Sequence, residues 1–211
     1  IVITPGMIEL GAEEDALNFE MGRTMADCAD IAILVGKRRV EAIKNGLAYV
    51  TEDRKGNGLI LSQSIKVNTS LANLSSLASM GVIDQDKEYA VAEEYRDKLR
   101  TKTPSVEQLV GNLSGGNQQK VLVGKWIFAE PDVLILDEPA RGVDVGAKED
   151  IYDIILRLAE SGVAIVILSS EAQEIIRLCD RALVMYHGSV RSEVSGETMN
   201  EQNMMRLATG G

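Results

Sequence analysis

Short runs of β-branched and aliphatic residues alternate along this chain with longer segments whose apolar positions recur every three or four residues. That alternation predicts an α/β protein built on a parallel sheet. Residues 1–3, 31–35, 47–50, 133–136 and 164–168 read as strands. The run 133–136, bracketed by Pro131 and Pro139, is apolar throughout, as a strand buried on both faces should be. Helical spacing covers 13–28, a short stretch from 40, then 64–77, 87–99, 114–128, 147–161 and a segment from 171. The stretch from 40 stops at Asn45-Gly46, a good left-handed cap. The polar, glycine-bearing stretch 51–58 reads as a loop, and Pro104 marks a linker. Residues 182–186 and 189–194, joined at His187-Gly188, predict a hairpin, and 200–208 a terminal helix.

Composition narrows the classes. The 211 residues allow one domain with a real core or two small ones, and 45% hydrophobic with 26% charged residues is ordinary for a globular chain. A net charge of −10, with 22 scattered basic residues, argues against a nucleic-acid binder, which clusters Lys and Arg along the phosphates. Cys28 and Cys179 lie far apart and share no ligand spacing with His187, so both read as reduced thiols. No apolar run approaches the ~18 residues needed to cross a bilayer, so membrane contact is expected through a partner rather than by insertion. The chain opens at Ile1, without Met, inside what reads as a strand, which suggests a cut N-terminus.

Two motifs carry chemistry. In Leu113-Ser114-Gly115-Gly116-Asn117-Gln118-Gln119-Lys120 a Ser opens a helix and two glycines follow, leaving backbone N–H groups able to bind a phosphate. Alone, the run reads equally well as a Ser cap on an ordinary helix. Further on, Ile135-Leu136-Asp137-Glu138-Pro139 ends an apolar strand in two adjacent carboxylates, at the sheet edge where open α/β folds place ligands. The first can hold a water bound to Mg²⁺, and the second can orient or deprotonate an attacking water. An acidic strand end by chance is the plainer reading, and the upstream glycine run weakens it.

Together these motifs resemble the ABC transporter ATPases, within them the second nucleotide-binding domain of monosaccharide importers, from about residue 42 to the C-terminus. The resemblance implies an incomplete P-loop NTPase domain, α/β with a parallel sheet, and a helical subdomain over about 60–128 that touches a permease. Residues 113–118 look like the ABC signature, with Ser114, Gly115, Gly116 and Gln118 as nucleotide-binding residues. Residues 133–137 look like Walker B, with Asp137 for Mg²⁺ and Glu138 as catalytic base. Arg141-Gly142-Val143-Asp144-Val145-Gly146-Ala147-Lys148 resembles that subfamily's D-loop, with Asp144 as its acid. The run 48–56 resembles the segment replacing the usual Q-loop, with Glu52 where relatives carry Gln and thus a second metal candidate. Ser170, in Ser169-Ser170-Glu171, falls where the switch histidine is normally found. Ala140 replaces a common Thr, a minor departure.

The phosphate loop itself is missing from these residues. It needs Gly, four residues, Gly, Lys, then Ser or Thr, and should precede Glu52 by several tens of residues. Gly36-Lys37 and Gly124-Lys125 are followed by Arg38 and Trp126, with Ile31 and Gln119 in place of the first Gly. Instead, Thr4-Pro5-Gly6-Met7-Ile8-Glu9-Leu10-Gly11, Leu17-Asn18-Phe19, Gly22-Arg23 and Ile33-Leu34-Val35-Gly36 resemble the C-terminal domain of a Mur ligase, the D-alanyl-D-alanine-adding enzyme. A divergent ABC segment is the alternative there. The first reading implies a small α/β segment of different origin at 1–46, joined to an ABC domain at 47–211.

The resemblance therefore implies an ATP- and Mg²⁺-using subunit of a sugar importer, working head-to-tail with another ATPase domain and with permease subunits at the inner face of the bacterial membrane. A non-catalytic interaction module and a remnant of a Mur-type ligase are the alternatives.

Overall fold

The computed structural model describes residues 46–211 in full and, of the preceding segment, the backbone of 2–4 and 32–34. The chain divides into two compact units, Ile1–Asn45 and Gly46–Gly211. In the first, β1 (Val2–Thr4) and β2 (Ala32–Leu34) pair in parallel. The helices expected at 13–28 and from 40, and Cys28, lie outside the described residues.

The second unit is built on a parallel sheet of order β3 (Leu47–Val50), β6 (Val133–Asp137), β7 (Ala164–Leu168). In register, Val50 faces Leu136, and Leu136 faces Ile167. β6 is central, and Leu134, Ile135 and Leu136 are fully buried, as its bracketed apolar run predicts. Gly46 starts this arrangement with φ +74, and its carbonyl accepts from the amides of Asp132 (2.7 Å) and Val133 (3.0 Å). A Cβ on Gly46 would sit 2.2 Å from the Asp132 carboxylate, so only glycine brings β3 beside the start of β6.

Helices cover the sheet. They are α1 (Ile65–Ser70), α2 (Leu74–Leu77), α3 (Gln85–Lys98), α4 (Gly115–Ile127), α5 (Val145–Glu160), α6 (Ala172–Leu178) and α7 (Glu201–Ala208). α4 packs on β3, α1 and α5, and α1 packs on α3. Leu122 of α4, Ile151 and Ile155 of α5, and Val106 and Val110 of the linker fill the same core as β3 and β6. Two buried polar devices brace the helical part. Asn68, fully buried, accepts from Ile60 N (2.8 Å) and donates to the carbonyls of Ile60 and Ser64 (both 3.0 Å). Ser70 donates to the buried Glu88 carboxylate at 2.6 Å.

The single helix expected over 64–77 is broken. Asn73 leaves helical geometry at φ −142°, ψ 46°, and its side chain donates to Phe128 O at 3.0 Å. A two-residue-strand hairpin, β4 (Ala78–Ser79) with β5 (Val82–Ile83), follows across Met80-Gly81. The hairpin expected near 182–194 is present as β8 (Arg181–Tyr186) and β9 (Ser189–Ser195). Its turn residues His187 and Gly188 both take positive φ, 48° and 77°, matching strand twist.

Candidate functional site

β6 delivers the two carboxylates to the C-terminal edge of the parallel sheet. Glu138 leaves the strand at φ +48, a conformation that costs a non-glycine residue on the order of 1 kcal/mol or more and persists where surroundings over-determine it. Here three bonds do so. Its amide donates to Leu168 O (2.8 Å), its carbonyl accepts from Arg141 N (3.1 Å), and its Oε1 accepts from Ser170 N (2.8 Å). The Glu138 side chain is thereby aimed by the end of the neighbouring strand. Beside it, Asp137 Oδ2 accepts from the Tyr49 hydroxyl at 2.5 Å. β3 alternates, with Ala48 and Val50 buried and Tyr49 on the other face, which is how Tyr49 reaches the site.

The second cluster forms at the start of α4. Ser114 caps the helix, accepting from Asn117 N (3.5 Å) and Asn117 Nδ2 (3.0 Å). The two glycines allow close approach of 141–147. A Cβ on Gly116 would lie 2.5 Å from Ala147 Cβ, and one on Gly115 would lie 3.0 Å from Arg54 Nη2. Asp144 caps α5 by accepting from Ala147 N at 3.0 Å. Gln118 turns inward, with its Nε2 donating to Val110 O and Leu113 O (both 3.2 Å), so in this chain it braces the loop that carries Ser114. Lys120 and Asp150 tie α4 to α5 through a 2.7 Å pair, and Lys120 also donates to Arg100 O (3.1 Å). The bond from Lys120 holds the Asp150 carboxyl below the usual carboxylate range.

Between these clusters lies a reciprocal clasp that the sequence did not announce. Arg54 donates to the carbonyls of Arg141 (3.0 Å) and Gly142 (3.5 Å), while the Arg141 guanidinium pairs with Glu52. Glu52, a metal candidate, is thus engaged by Arg141. Tyr49, Arg54 and Arg141 all sat inside quoted motif runs, yet nothing in their spacing told which partner each would meet.

Among the described residues no group of three or more His, Cys, Asp or Glu side chains is arranged to hold a metal ion. This donor set suits Mg²⁺, which takes one or two carboxylates and its remaining ligands from phosphates and water. Asp137 stands at the strand end, with its Oδ2 accepting from Tyr49.

Comparisons with known proteins agree with this geometry. An L-arabinose transport ATP-binding protein of Geobacillus stearothermophilus is 54% identical over 169 residues, covering 80% of this chain and 33% of the relative. A ribose import ATP-binding protein of Bacillus subtilis is 47% identical over 175 residues, covering 83% and 36%. A relative from Halalkalibacterium halodurans aligns along the entire chain at 43% identity and is covered to 41%. The chain thus spans between 33% and 41% of the length of these curated relatives.

Among solved structures, a dimeric ATP-binding cassette in a post-hydrolysis state bound to ADP and Pi superimposes with TM-score 0.64 at 19% identity, covering 75% of this chain and 67% of that one. A nucleotide-free ATP-binding cassette gives TM-score 0.64 at 20% identity, covering 82% and 69%. These likenesses show the fold, the α/β P-loop NTPase fold of ABC ATPases with its parallel sheet and helices. The Mur ligase resemblance of residues 1 to about 46 gains no support. The family match already begins at residue 12, and the H. halodurans relative aligns through the whole segment. Apolar triplets and glycine turns recur in many α/β families, so they identify no single one. The ABC transporter family model matches residues 12–141, and with the signature-like helix start and the strand-end carboxylates in place, this chain belongs to the ABC transporter family.

Proposed function

We propose that the chain is part of the ATP-hydrolysing subunit of a bacterial monosaccharide importer, within its second nucleotide-binding domain, and that it contributes the signature, Walker B and D-loop. The names of its relatives, arabinose and ribose transport proteins, support the sugar class. Glu52 and Ser170, at the Q-loop and switch positions, support the second domain. The observation that carries the reading is Glu138, held at the sheet edge by Ser170 N at 2.8 Å beside Asp137.

Glu138 orients the attacking water and accepts its proton as the phosphoryl group leaves, a role that needs a fixed carboxylate in line with the phosphate. Asp137, its Oδ2 held by the Tyr49 hydroxyl, would hold Mg²⁺ at the strand end, and the ion when bound would neutralise charge on the phosphates. Ser114, Gly115 and Gly116 present the positive end of α4, a terminus suited to the γ-phosphate of ATP seated on another ATPase domain. A head-to-tail pair of domains would therefore share each site, with permease subunits contacting the helical part and the assembly lying at the inner membrane face. Among the described residues no helix is long and apolar enough to cross a membrane.

The reading is tested by ATPase assay. The 211-residue chain, with no phosphate-loop pattern in its sequence, is expected to turn over ATP more slowly than ~1 s⁻¹. Extended upstream by a phosphate-loop segment, it is expected to hydrolyse ATP, with Glu138→Gln lowering the rate by about a hundredfold or more. In that extended protein Ser114→Arg should damage hydrolysis far more than Ser170→Ala, because Ser170 acts through its backbone. An unchanged rate in Glu138→Gln would sink the proposal.

A further inference from the structure

Arg54 has no part in the chemistry above, yet three segments of the site meet at its guanidinium. It opens the short helical turn Arg54–Gly58, which Asp53 caps by accepting from Gly56 N at 2.9 Å. The far end of that turn is seated on α4, where Lys125 Nζ donates to Gly58 O at 3.0 Å and a Cβ on Gly58 would lie 3.0 Å from the Leu122 methyls. From this base Arg54 reaches the carbonyls of Arg141 (3.0 Å) and Gly142 (3.5 Å). Its Nη2 also fills the space beside Gly115, where an added Cβ would come within 3.0 Å of it and 3.4 Å of Gly142 O. Charge does not explain this placement. A cation is disfavoured at the positive end of a helix, and the buried Arg54 Nε has no hydrogen-bond partner among the described residues. What holds the side chain is its fork of N–H groups on two carbonyls, a geometry that a planar guanidinium offers and an ammonium does not. Those carbonyls belong to the turn that leaves Glu138. Arg141 N donates to Glu138 O at 3.1 Å, Gly142 takes φ +66, and the run ends at Asp144, the cap of α5.

We propose that Arg54 is a positioning residue for the start of α4: by holding the carbonyls of Arg141 and Gly142 against Gly115, it fixes the 141–144 run beside Ser114, Gly115 and Gly116 and so sets the helix end that meets the γ-phosphate. The residue acts through the backbone it holds rather than by touching nucleotide. Its own anchor lies on α4, so one helix supports both the side chain and the end that the side chain sets. The idea rests on the reading of that end as phosphate-facing, although the contact it describes stands apart from that reading.

The test follows the amide resonances of Gly142 and Val143, next in sequence to the two carbonyls, in the isotope-labelled 211-residue chain. Arg54→Lys keeps the charge but loses the fork, and it is expected to shift both resonances together with those of Gly115 and Gly116. Gly115 lies within α4 and lacks a positive φ, so Gly115→Ala suits the backbone while pushing Nη2 aside. It is expected to shift Gly142 and Val143 in the parent, and to shift them less in an Arg54→Lys background. Glu52→Gln serves as the control, since it weakens the pair with the Arg141 side chain and leaves the fork in place. There the Gly115→Ala effect is retained, whereas a general loosening of 52–58 would reduce it in both backgrounds. Unmoved Gly142 and Val143 in Arg54→Lys overturn the proposal, as does an undiminished Gly115→Ala effect in that background or an equal reduction in Glu52→Gln. In the extended protein Arg54→Lys should lower kcat with KM little changed, because the helix end acts on a nucleotide gripped by another domain only as the phosphoryl group reacts. An unchanged kcat overturns the role in hydrolysis. If Ser114→Arg leaves hydrolysis intact as well, the reading of the α4 start is what fails, and the coupled resonances keep the positioning contact.

Discussion

Two regions meet at the candidate site, and they are built to different standards. Around β6, a large core takes in β3, α1, α4 and α5, with Val50, Leu134, Leu136 and Ile151 at 0% exposure. Around β8, β9, α6 and α7 a second cluster has four buried residues, Ile175, Val184, Val194 and Met204. β7 lies between them, and its Ile167 packs against both. The two strands β6 and β7 have similar apolar sequences, but β6 is paired on both sides and buried, while β7 is half-exposed along its length. Glu138 is rooted in the first region and Ser170 in the second, so their bond joins a firm side to a softer one. Carboxylates need a fixed frame, whereas the turn that senses them can come from the less stable part.

The comparison breaks first in the core. Leu136→Ala removes a fully buried side chain between β3 and β7 and is expected to cost about 4 kcal/mol, while Val184→Ala in the second cluster should cost about 2 kcal/mol or less. Urea denaturation measures both. Equal losses would mean that the two clusters are a single core, and the contrast would be lost.

Acid sharpens the comparison next. Lys120 is almost fully buried, and its bond lowers the Asp150 pKa, so the folded state favours ionised Asp150. The stabilisation is then fully present above the unfolded carboxylate pKa and is lost as pH falls through the lower, folded value. Asp150→Ala should cost about 3 kcal/mol at neutral pH, because it strands the Lys120 ammonium. It should also flatten the acid limb of stability against pH in the region of β6. A variant whose acid limb matches that of the parent would show that other carboxylates govern acid unfolding.

Much of the first region was legible in the sequence. The Pro-bracketed apolar run marked β6 and its two acids, and the Ser-Gly-Gly run marked the start of α4, since both signals are local. The break at Asn73 was not legible, because its cause is a bond to Phe128 O, distant in sequence. Nor was the β4–β5 hairpin, whose turn places Met80 at φ 51°, a residue type that gives no turn signal. At the site, Glu138 and Ser170 were named separately. That they bond to each other, that Arg141 takes Glu52, and that Tyr49 reaches Asp137 depend on how strands and loops are brought side by side.

The smallest effect concerns the softer region alone. Cys179 is half-buried beside the second cluster, and burial pushes its thiol up to about 11 from the ordinary 9.0. Thiolate is the reactive form, so a two-unit rise leaves about a hundredfold less of it at pH 8 than an open cysteine would have. With Cys28→Ser removing the other thiol, alkylation of the native chain should therefore be about a hundredfold slower than alkylation in denaturant. Met204 closes the cluster from α7 at 8% exposure, and Met204→Ala should let that region open more often than the β6 core does. The expected sign is faster labelling of Cys179, by about tenfold, in buffer without denaturant, with the urea midpoint of the β6 core nearly unmoved. The reasoning turns on independence. If Met204→Ala speeds labelling only at urea concentrations that also unfold β6, the second cluster opens with the first, and the Glu138–Ser170 bond joins two parts of one cooperative unit rather than a firm side and a soft one.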